Sequence, residues 1–403
     1  MIALEEIYRA RDNIGGYINR TPLIYANSLS RITGARVYLK AENLQKTGSF
    51  KVRGAFHKLV TERPGRVIAA SMGNHAQGVA YAAQSLGIGA RIVMPVTSSI
   101  VKQEATRGYG ADVILHGESF QDALDHAQSQ EGFTFIHAFD DRAIIAGQGT
   151  AGLEILADLE RPDVVIVPVG GGGLIAGVAT AVKALSPETE VIGVQTVSAT
   201  SARDSFHEGT VRDVQPQTTL ADGIAVGRVG ALTLDVMRRV VDDILTVSEE
   251  SIAVAVLLLL ERKKLVVEGA GATPLALLLE QGGRFQGKQV VLLLSGGNID
   301  FTLIDRIIHR GLVSSGRITE FSVIVDDAPG SLHRLTGIIA SRNGNILNII
   351  HDPLVRGIPI GKTLVDVTVE TRGTQHGEEI RAALEEAGIR SALPHHPATD
   401  SRQ

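Results

Sequence analysis

Asp163-Val164-Val165-Ile166-Val167-Pro168-Val169-Gly170-Gly171-Gly172-Gly173-Leu174 is the stretch that decides how this chain folds. The Val/Ile run shows no polar alternation, so it reads as a strand buried on both faces, as in parallel sheets covered by helices on each side. The glycines end the strand and a helix opens at Leu174. Four successive residues without Cβ let backbone N–H groups converge, and the helix N-terminus adds about half a positive charge. Together these make a phosphate cradle. It is not a Walker loop, since no Gly-Lys-Ser/Thr follows. A flexible linker is the alternative, but linkers do not lie between a Val/Ile strand and an apolar helix.

The same alternation extends in both directions. Val67-Ile68-Ala69-Ala70 precedes a helix opened by Asn74, Arg91-Ile92-Val93-Met94-Pro95 one near residues 100–107, and Asp112-Val113-Ile114-Leu115 one near 120–127. Val191-Ile192-Gly193-Val194 and Val290-Val291-Leu292-Leu293-Leu294 are further buried strands. The expected architecture is α/β, with two open parallel-sheet units: a smaller one around 53–145, inserted in a larger one built from the N-terminal segment and residues 146–312. Beyond a polar connection at 311–316 the pattern changes. Phe321, Val323 and Val325 alternate, Leu332, Leu335, Ile338 and Ile339 share a helical face, Ile346 to Ile350 and Val365, Val367, Val369 read as strands, and Ile380, Ala383, Leu384 and Ala387 as a second helix, with a short strand after Ile389. The order β-α-β-β-α-β over 317–403 is ferredoxin-like.

Composition narrows the function classes. The 403 residues allow two or three domains, and a net charge of −5 argues against a nucleic-acid partner. No cysteine is present, which excludes disulfides, a thiolate nucleophile and a Cys-ligated metal. No basic-then-apolar signal peptide is visible, and the longest apolar run, 252–260, is well short of the about 20 residues a bilayer needs. A soluble, cytoplasmic protein with no membrane partner is expected.

Ser49-Phe50-Lys51-Val52-Arg53-Gly54-Ala55 places a lysine between a strand-like run (36–40) and a helix-like run (55–60), where open α/β folds hold ligands. A lysine amine is nucleophilic only when neutral, so a catalytic Lys51 needs a setting that lowers its pKa or a carbonyl that captures it. Gly147-Gln148-Gly149-Thr150-Ala151-Gly152 fits the G-x-G-x-x-G dinucleotide pattern, but about 20 residues on the chain reads Val167-Pro168-Val169-Gly170, with no ribose-binding acid. These glycines are expected instead to pack a helix start close to the ligand-holding domain. Among 12 histidines no His-x-Glu or HExxH spacing occurs.

Read in order, Ser49-Phe50-Lys51, Ser71-Met72-Gly73-Asn74-His75-Ala76-Gln77-Gly78, the 170–174 run and Ser295-Gly296-Gly297-Asn298 resemble the signature of the fold-type II pyridoxal-phosphate enzymes, the tryptophan-synthase-β-like group, over residues 5–312. Within it the chain is most similar to threonine dehydratases (threonine ammonia-lyases). The resemblance implies pyridoxal 5′-phosphate as cofactor, carried on Lys51, with its phosphate on Gly170, Gly171, Gly172, Gly173 and Leu174. It further implies Phe50 beside the ring, Asn74 at the 3-hydroxyl, Gly223 at a backbone contact and Ser295 at the pyridine nitrogen. Ser71, Met72, Gly73, Asn74 and His75 would bind substrate. A hydroxyl cannot hold a protonated pyridinium as a carboxylate does, so the ring is a weaker electron sink and prompt β-elimination is favoured over transamination. Ser295 could also cap a helix from Gly296. His75, in a first helical turn, reads either as structural or as an acid/base.

Two departures matter. Serine racemases of this fold carry a second acid/base serine where this chain has Met72, and a thioether carries no proton. Their divalent-cation site uses two carboxylates where Gln195 and Ser201 stand here, so no metal is expected. The C-terminal region, with Pro329-Gly330 before a helix and Gly344-Asn345-Ile346 after it, resembles an ACT domain, the small amino-acid-sensing module; a purely oligomerising domain is the alternative. The implied activity is β-elimination of L-threonine to 2-oxobutanoate and ammonia in a homo-oligomer, with isoleucine or valine as effector. An L-serine dehydratase or broad hydroxy-amino-acid lyase stays open, as does a non-catalytic amino-acid-binding regulator.

Overall fold

The computed structural model describes residues 2–355 and 357–391, so the last residues of the C-terminal region lie outside the description. The chain divides into two compact units, Met1–Ile307 and Ile308–Gln403.

The first unit is built on a six-stranded sheet in the order Leu23–Tyr25, Arg36–Ala41, Gln289–Leu294, Val164–Pro168, Glu190–Thr196, Asp243–Val247. Only the Leu23–Tyr25 edge strand runs antiparallel to its neighbour. Side chains alternate across a strand, and here both faces are apolar. Val164 and Ile166 join the core formed with helices Glu249–Leu258 and Gly269–Glu280. Val165, Val167 and Val169 join the opposite core under Arg142–Asp158 and Gly173–Leu185. That double burial is why the strand needs no polar alternation.

A second, fully parallel sheet runs Asp112–Leu115, Gly89–Met94, Arg66–Ala70, Thr134–Phe135. Val67 and Ala69 face helices Lys51–Glu62 and Asn74–Leu86, while Ile68 and Ala70 face Ala123 and Ala127 of Phe120–Ser129.

The 147–152 glycines lie in the middle of helix Arg142–Asp158, not at a helix start. A Cβ on Gly147 would come within 2.6 Å of the Gly54 Cα, and one on Gly177 within 2.2 Å of the Ile145 carbonyl oxygen. The glycines therefore let this helix touch the Lys51–Glu62 and Gly173–Leu185 backbones on two sides. The same junction holds a buried ionic cluster. Arg53 is fully buried and donates through Nε and Nη2 to both Glu42 oxygens at 2.8 Å. Its Nη1 donates to Glu154 at 2.7 Å and to Thr150 at 3.0 Å. Lys40, also fully buried, reaches the same Glu154 and the Thr21 carbonyl. Burial alone would raise the Glu42 pKa, yet the Arg53 guanidinium overrides it and holds the carboxyl below its ordinary value.

The second unit is an antiparallel sheet in the order Asn345–Asp352, Lys362–Glu370, Ile318–Asp326, Arg390–Ser391. Helices Ser331–Ser341 and Thr374–Glu386 complete the β-α-β-β-α-β order. Phe321, Val323, Val325, Val365, Val367 and Val369 pack against Leu335, Ile339, Ile380 and Leu384. This is the ferredoxin-like arrangement of ACT-like domains. Among the described residues no helix is long and apolar enough to cross a membrane.

Candidate active site

The residues assigned above to cofactor and substrate all line one cavity of about 1190 Å³ in the first unit. Phe50, Lys51, Ser71, Met72, Gly73, Asn74, His75, Gly170, Gly171, Gly172, Gly173, Leu174, Gly223 and Ser295 each contribute to its wall. They gather about the C-terminal ends of strands in both parallel sheets, the place where α/β folds collect ligands.

Lys51 is the first residue of helix Lys51–Glu62. Its Nζ donates to the Ala138 carbonyl at 3.1 Å and lies 5.1 Å from the Phe50 ring centre. Burial lowers its pKa to about 8, against the opposing pull of the Glu268 charge. The Phe50 N–H donates to the Ser295 carbonyl at 3.1 Å, and Ser49 bridges Gly296. The lysine turn and the end of strand Gln289–Leu294 are thereby locked together, although they lie far apart in the chain. No helix starts at Gly296; the next one is Phe301–Ser314, so Ser295 is not a cap and its buried side chain belongs to the cavity wall.

The glycine run is tightly enclosed. A Cβ on Gly171 would lie 2.3 Å from the Phe139 ring, and one on Gly173 3.0 Å from the Phe139 carbonyl oxygen. Gly172 has φ +94°, a left-handed conformation that favours glycine. The Thr233 hydroxyl donates to the Gly171 carbonyl at 2.7 Å. Among the described residues the Gly171 and Gly172 N–H groups donate to no acceptor, which leaves them free for an anion at the start of helix Gly173–Leu185.

Asn74 opens helix Asn74–Leu86. Its amide nitrogen donates to both oxygens of Glu268 at 3.0 Å, and its oxygen accepts from Asn298 at 2.9 Å. The Gly73 N–H donates to Ser71 Oγ at 3.2 Å, which folds the loop as a tight turn. Met72 is 38% exposed. His75 is buried and its Nε2 lies 2.9 Å from the Ile136 carbonyl, which can only accept, so Nε2 carries the proton. Burial, aided by the Lys51 charge, pushes the ring down to about 3 and keeps it neutral. Those contacts suit the structural reading of His75 better than an acid/base role.

Sequence reading missed Glu268, Asp222, Lys102, His137 and Phe139, which share the cavity wall. Glu268 had a signal: a lone carboxylate between Val266-Val267 and Gly269-Ala270-Gly271 is a charge in an apolar context. Gln195 accepts from the Arg203 N–H at 2.9 Å, and the Ser201 hydroxyl bonds the Val226 carbonyl. Neither brings a carboxylate to that position.

The family model described as "Pyridoxal-phosphate dependent enzyme" matches residues 14–296. The chain belongs to that family. This pyridoxal-phosphate-dependent enzyme is 48% identical over 391 residues to an L-threonine ammonia-lyase of Thermotoga maritima, covering 95% of this chain and 97% of that protein. An L-threonine ammonia-lyase of Geobacter sulfurreducens is 45% identical over 398 residues, covering 96% and 98%. Among solved structures, a threonine deaminase of T.th. superposes with a TM-score of 0.71 at 48% identity, over 74% of this chain and 99% of that one. Maize serine racemase gives 0.72 at 31% identity, over 77% and 98%. The lining fits the cofactor on its own terms: a cradle too narrow for Cβ atoms with unused N–H groups, a lysine of lowered pKa and a buried hydroxyl.

Proposed function

We propose that this enzyme is a threonine ammonia-lyase that converts L-threonine to 2-oxobutanoate and ammonia by β-elimination. One observation carries the reading. The Lys51 amine, with a pKa lowered to about 8, shares a cavity with the glycine cradle and a hydroxyl, rather than a carboxylate, at the end of the last strand. The likeness to threonine ammonia-lyases over nearly the whole chain supports it.

When bound, pyridoxal phosphate supplies an aldehyde for the amino group and an electron sink that acidifies the substrate Cα–H. The chain's own residues do the rest. The glycines at 170–173 would hold the phosphate through backbone N–H groups, and Ser295 would present its hydroxyl to the ring nitrogen. With a hydroxyl and no carboxylate there, the chain would give the ring little help in storing charge, which would favour expulsion of the β-hydroxyl. Asn74 would face the ring's 3-hydroxyl, and the 71–74 turn would grip the substrate carboxylate. Lys51 Nζ, partly neutral at about pH 8, takes the Cα proton. The β-hydroxyl leaves as water, and one water re-enters when the C–N bond is hydrolysed, so the products balance. Met72 offers no proton to the opposite face, which favours elimination over racemisation.

The first unit is then the catalytic domain, and the ferredoxin-like unit an ACT-like regulatory domain that senses an amino acid such as isoleucine or valine in a homo-oligomer. Threonine and serine differ by one methyl group, worth about 1–3 kcal/mol in such a pocket. The test is 2-oxo acid release from L-threonine and L-serine by purified protein with pyridoxal phosphate, with and without isoleucine. Faster threonine turnover altered by isoleucine is expected. Keto acid from serine alone would replace the substrate, and none from either would overturn the reaction.

A further inference from the structure

Glu268 is a buried carboxylate that the elimination chemistry above does not use. Only 4% of it is exposed, and its backbone is pinned beside the cofactor-facing turn: its N–H donates to the Gly296 carbonyl at 3.1 Å, and its own carbonyl accepts from Ala272 at 3.0 Å. The side chain fills the space that Gly296 leaves open and packs beside Gly223. Its Oε1 lies 2.5 Å from where a Cβ on Gly296 would sit and 3.5 Å from one on Gly223. Among the described residues it has no ion-pair partner, and Asn74 supplies both of its side-chain hydrogen bonds.

Those bonds fix the flip state of the Asn74 amide. An asparagine has two N–H donors and one acceptor oxygen. The Asn74 nitrogen faces both Glu268 oxygens, and its Oδ1 accepts from Asn298, which is itself held by the Thr47 carbonyl at 2.6 Å. With a carboxylate on one side and an N–H donor on the other, only one flip state of Asn74 satisfies both neighbours. A protonated Glu268, or an amide in its place, presents a hydrogen where Asn74 also presents one, and the preference weakens.

We propose that Glu268 is a positioning residue for the reaction, which sets the orientation of Asn74 and through it the way the cofactor ring is held. The inference rests on the pyridoxal-phosphate reading of this cavity. Burial, together with the Asp222 charge, raises Glu268 to about 7, against the Asn74 hydrogen bond and the Lys102 and Lys51 charges. Asp222, Lys102 and Lys51, from the 222–224 turn, the 100–108 helix and the 51–62 helix, are the charges that face it. Ring binding thus senses pH near neutrality through this group.

The experiment is titration of the cofactor-free protein with pyridoxal phosphate, read by visible absorbance between about pH 6 and 8.5, for wild type, Glu268→Gln, Asn74→Ala and the double variant. Wild-type binding comes first and tests the cofactor reading separately. The wild-type spectrum is expected to step at about pH 7, and Glu268→Gln to lose the step and weaken binding roughly ten- to a hundredfold, as for one charge-assisted hydrogen bond. Asn74→Ala also loses the step, and adding Glu268→Gln to it costs less than about twofold more, because the first acts through the second. Fully additive losses, or a wild-type-like Glu268→Gln, overturn the proposal. If Glu268→Gln fails to fold, a step at about pH 7, set apart from the Lys51 titration at about 8, that survives in Asn74→Ala overturns it equally.

Discussion

Replacing Gly171 by alanine tests the cradle at its tightest point. The added Cβ would stand 2.3 Å from Phe139 ring atoms, whereas carbon atoms rest at about 3.5–4.0 Å. The ring or the loop must therefore give way by about 1.2 Å or more. The ring has little freedom, since it packs edge-on against His137 at 4.7 Å and its own backbone closes on Gly173. Such overpacking costs about 1–3 kcal/mol. In the free protein the loop can relax outward, but phosphate binding needs it in place, so most of the cost falls on the complex. At about 1.4 kcal/mol per tenfold, pyridoxal phosphate should bind roughly 5- to 100-fold more weakly. Gly170 is the internal control. Its added Cβ meets the Val226 methyl at 3.1 Å and the Ile224 Cα at 3.3 Å, looser than the 2.3 Å at Gly171, so Gly170→Ala should cost less than Gly171→Ala. The assay is absorbance titration of the cofactor-free variants with pyridoxal phosphate and, in parallel, with pyridoxal, which lacks the phosphate. Equal losses for the two variants, or an equal loss for both ligands, would refute the argument.

Two further outcomes follow from the buried charges. Arg53→Met removes the guanidinium that bonds both Glu42 oxygens, leaving only the weaker pull of Lys40, and should lower stability by about 3–5 kcal/mol in urea unfolding at about pH 7. In wild type Glu42 sits below its unfolded value, so its contribution is present above pH 4.5 and lost as pH falls through the folded pKa. The gap between variant and wild type should accordingly narrow as pH falls below 4.5, and a gap that widens there would contradict the assignment. Lys51 must be neutral to capture an aldehyde, so the rate of cofactor capture by the cofactor-free protein should rise about tenfold per pH unit and level off at about 8. A midpoint at about 10 or above, read by stopped-flow absorbance, would mean that burial does not lower this lysine.

Local patterns carried much of the fold to the reader of the sequence. Val164 to Val167 announced a doubly covered strand because each side chain, on either face, meets an apolar core. The alternation of Phe321, Val323 and Val325 announced a half-covered one. Residues recognised as motifs also converge on one cavity, since those at 71, 170 and 295 follow strand ends and the lysine turn is bonded to the last of them through Phe50. What stayed hidden depends on distant pairs. Glu268 meets Asn74 across 194 positions and Arg53 meets Glu154 across 101, and no window along the chain contains either pair. The 147–152 glycines could be placed near close packing, but not in mid-helix, because their reason lies in Gly54 and Gly177 on other helices. Ser295 resembled a cap because Gly296 and Gly297 follow it; in the structure those glycines leave room for Glu268 and the Val266 carbonyl.

The most direct test of the central claim joins the cofactor to the reaction at one atom. Borohydride reduction of the enzyme loaded with pyridoxal phosphate, followed by peptide mapping, should place the cofactor on Lys51 Nζ. Lys51→Ala should lose that adduct and at least about a thousandfold in 2-oxobutanoate formation from L-threonine, the combined loss of the covalent attachment and the proton acceptor. An adduct on another lysine, or a Lys51→Ala variant that retains full lyase activity, would contradict the account at its centre.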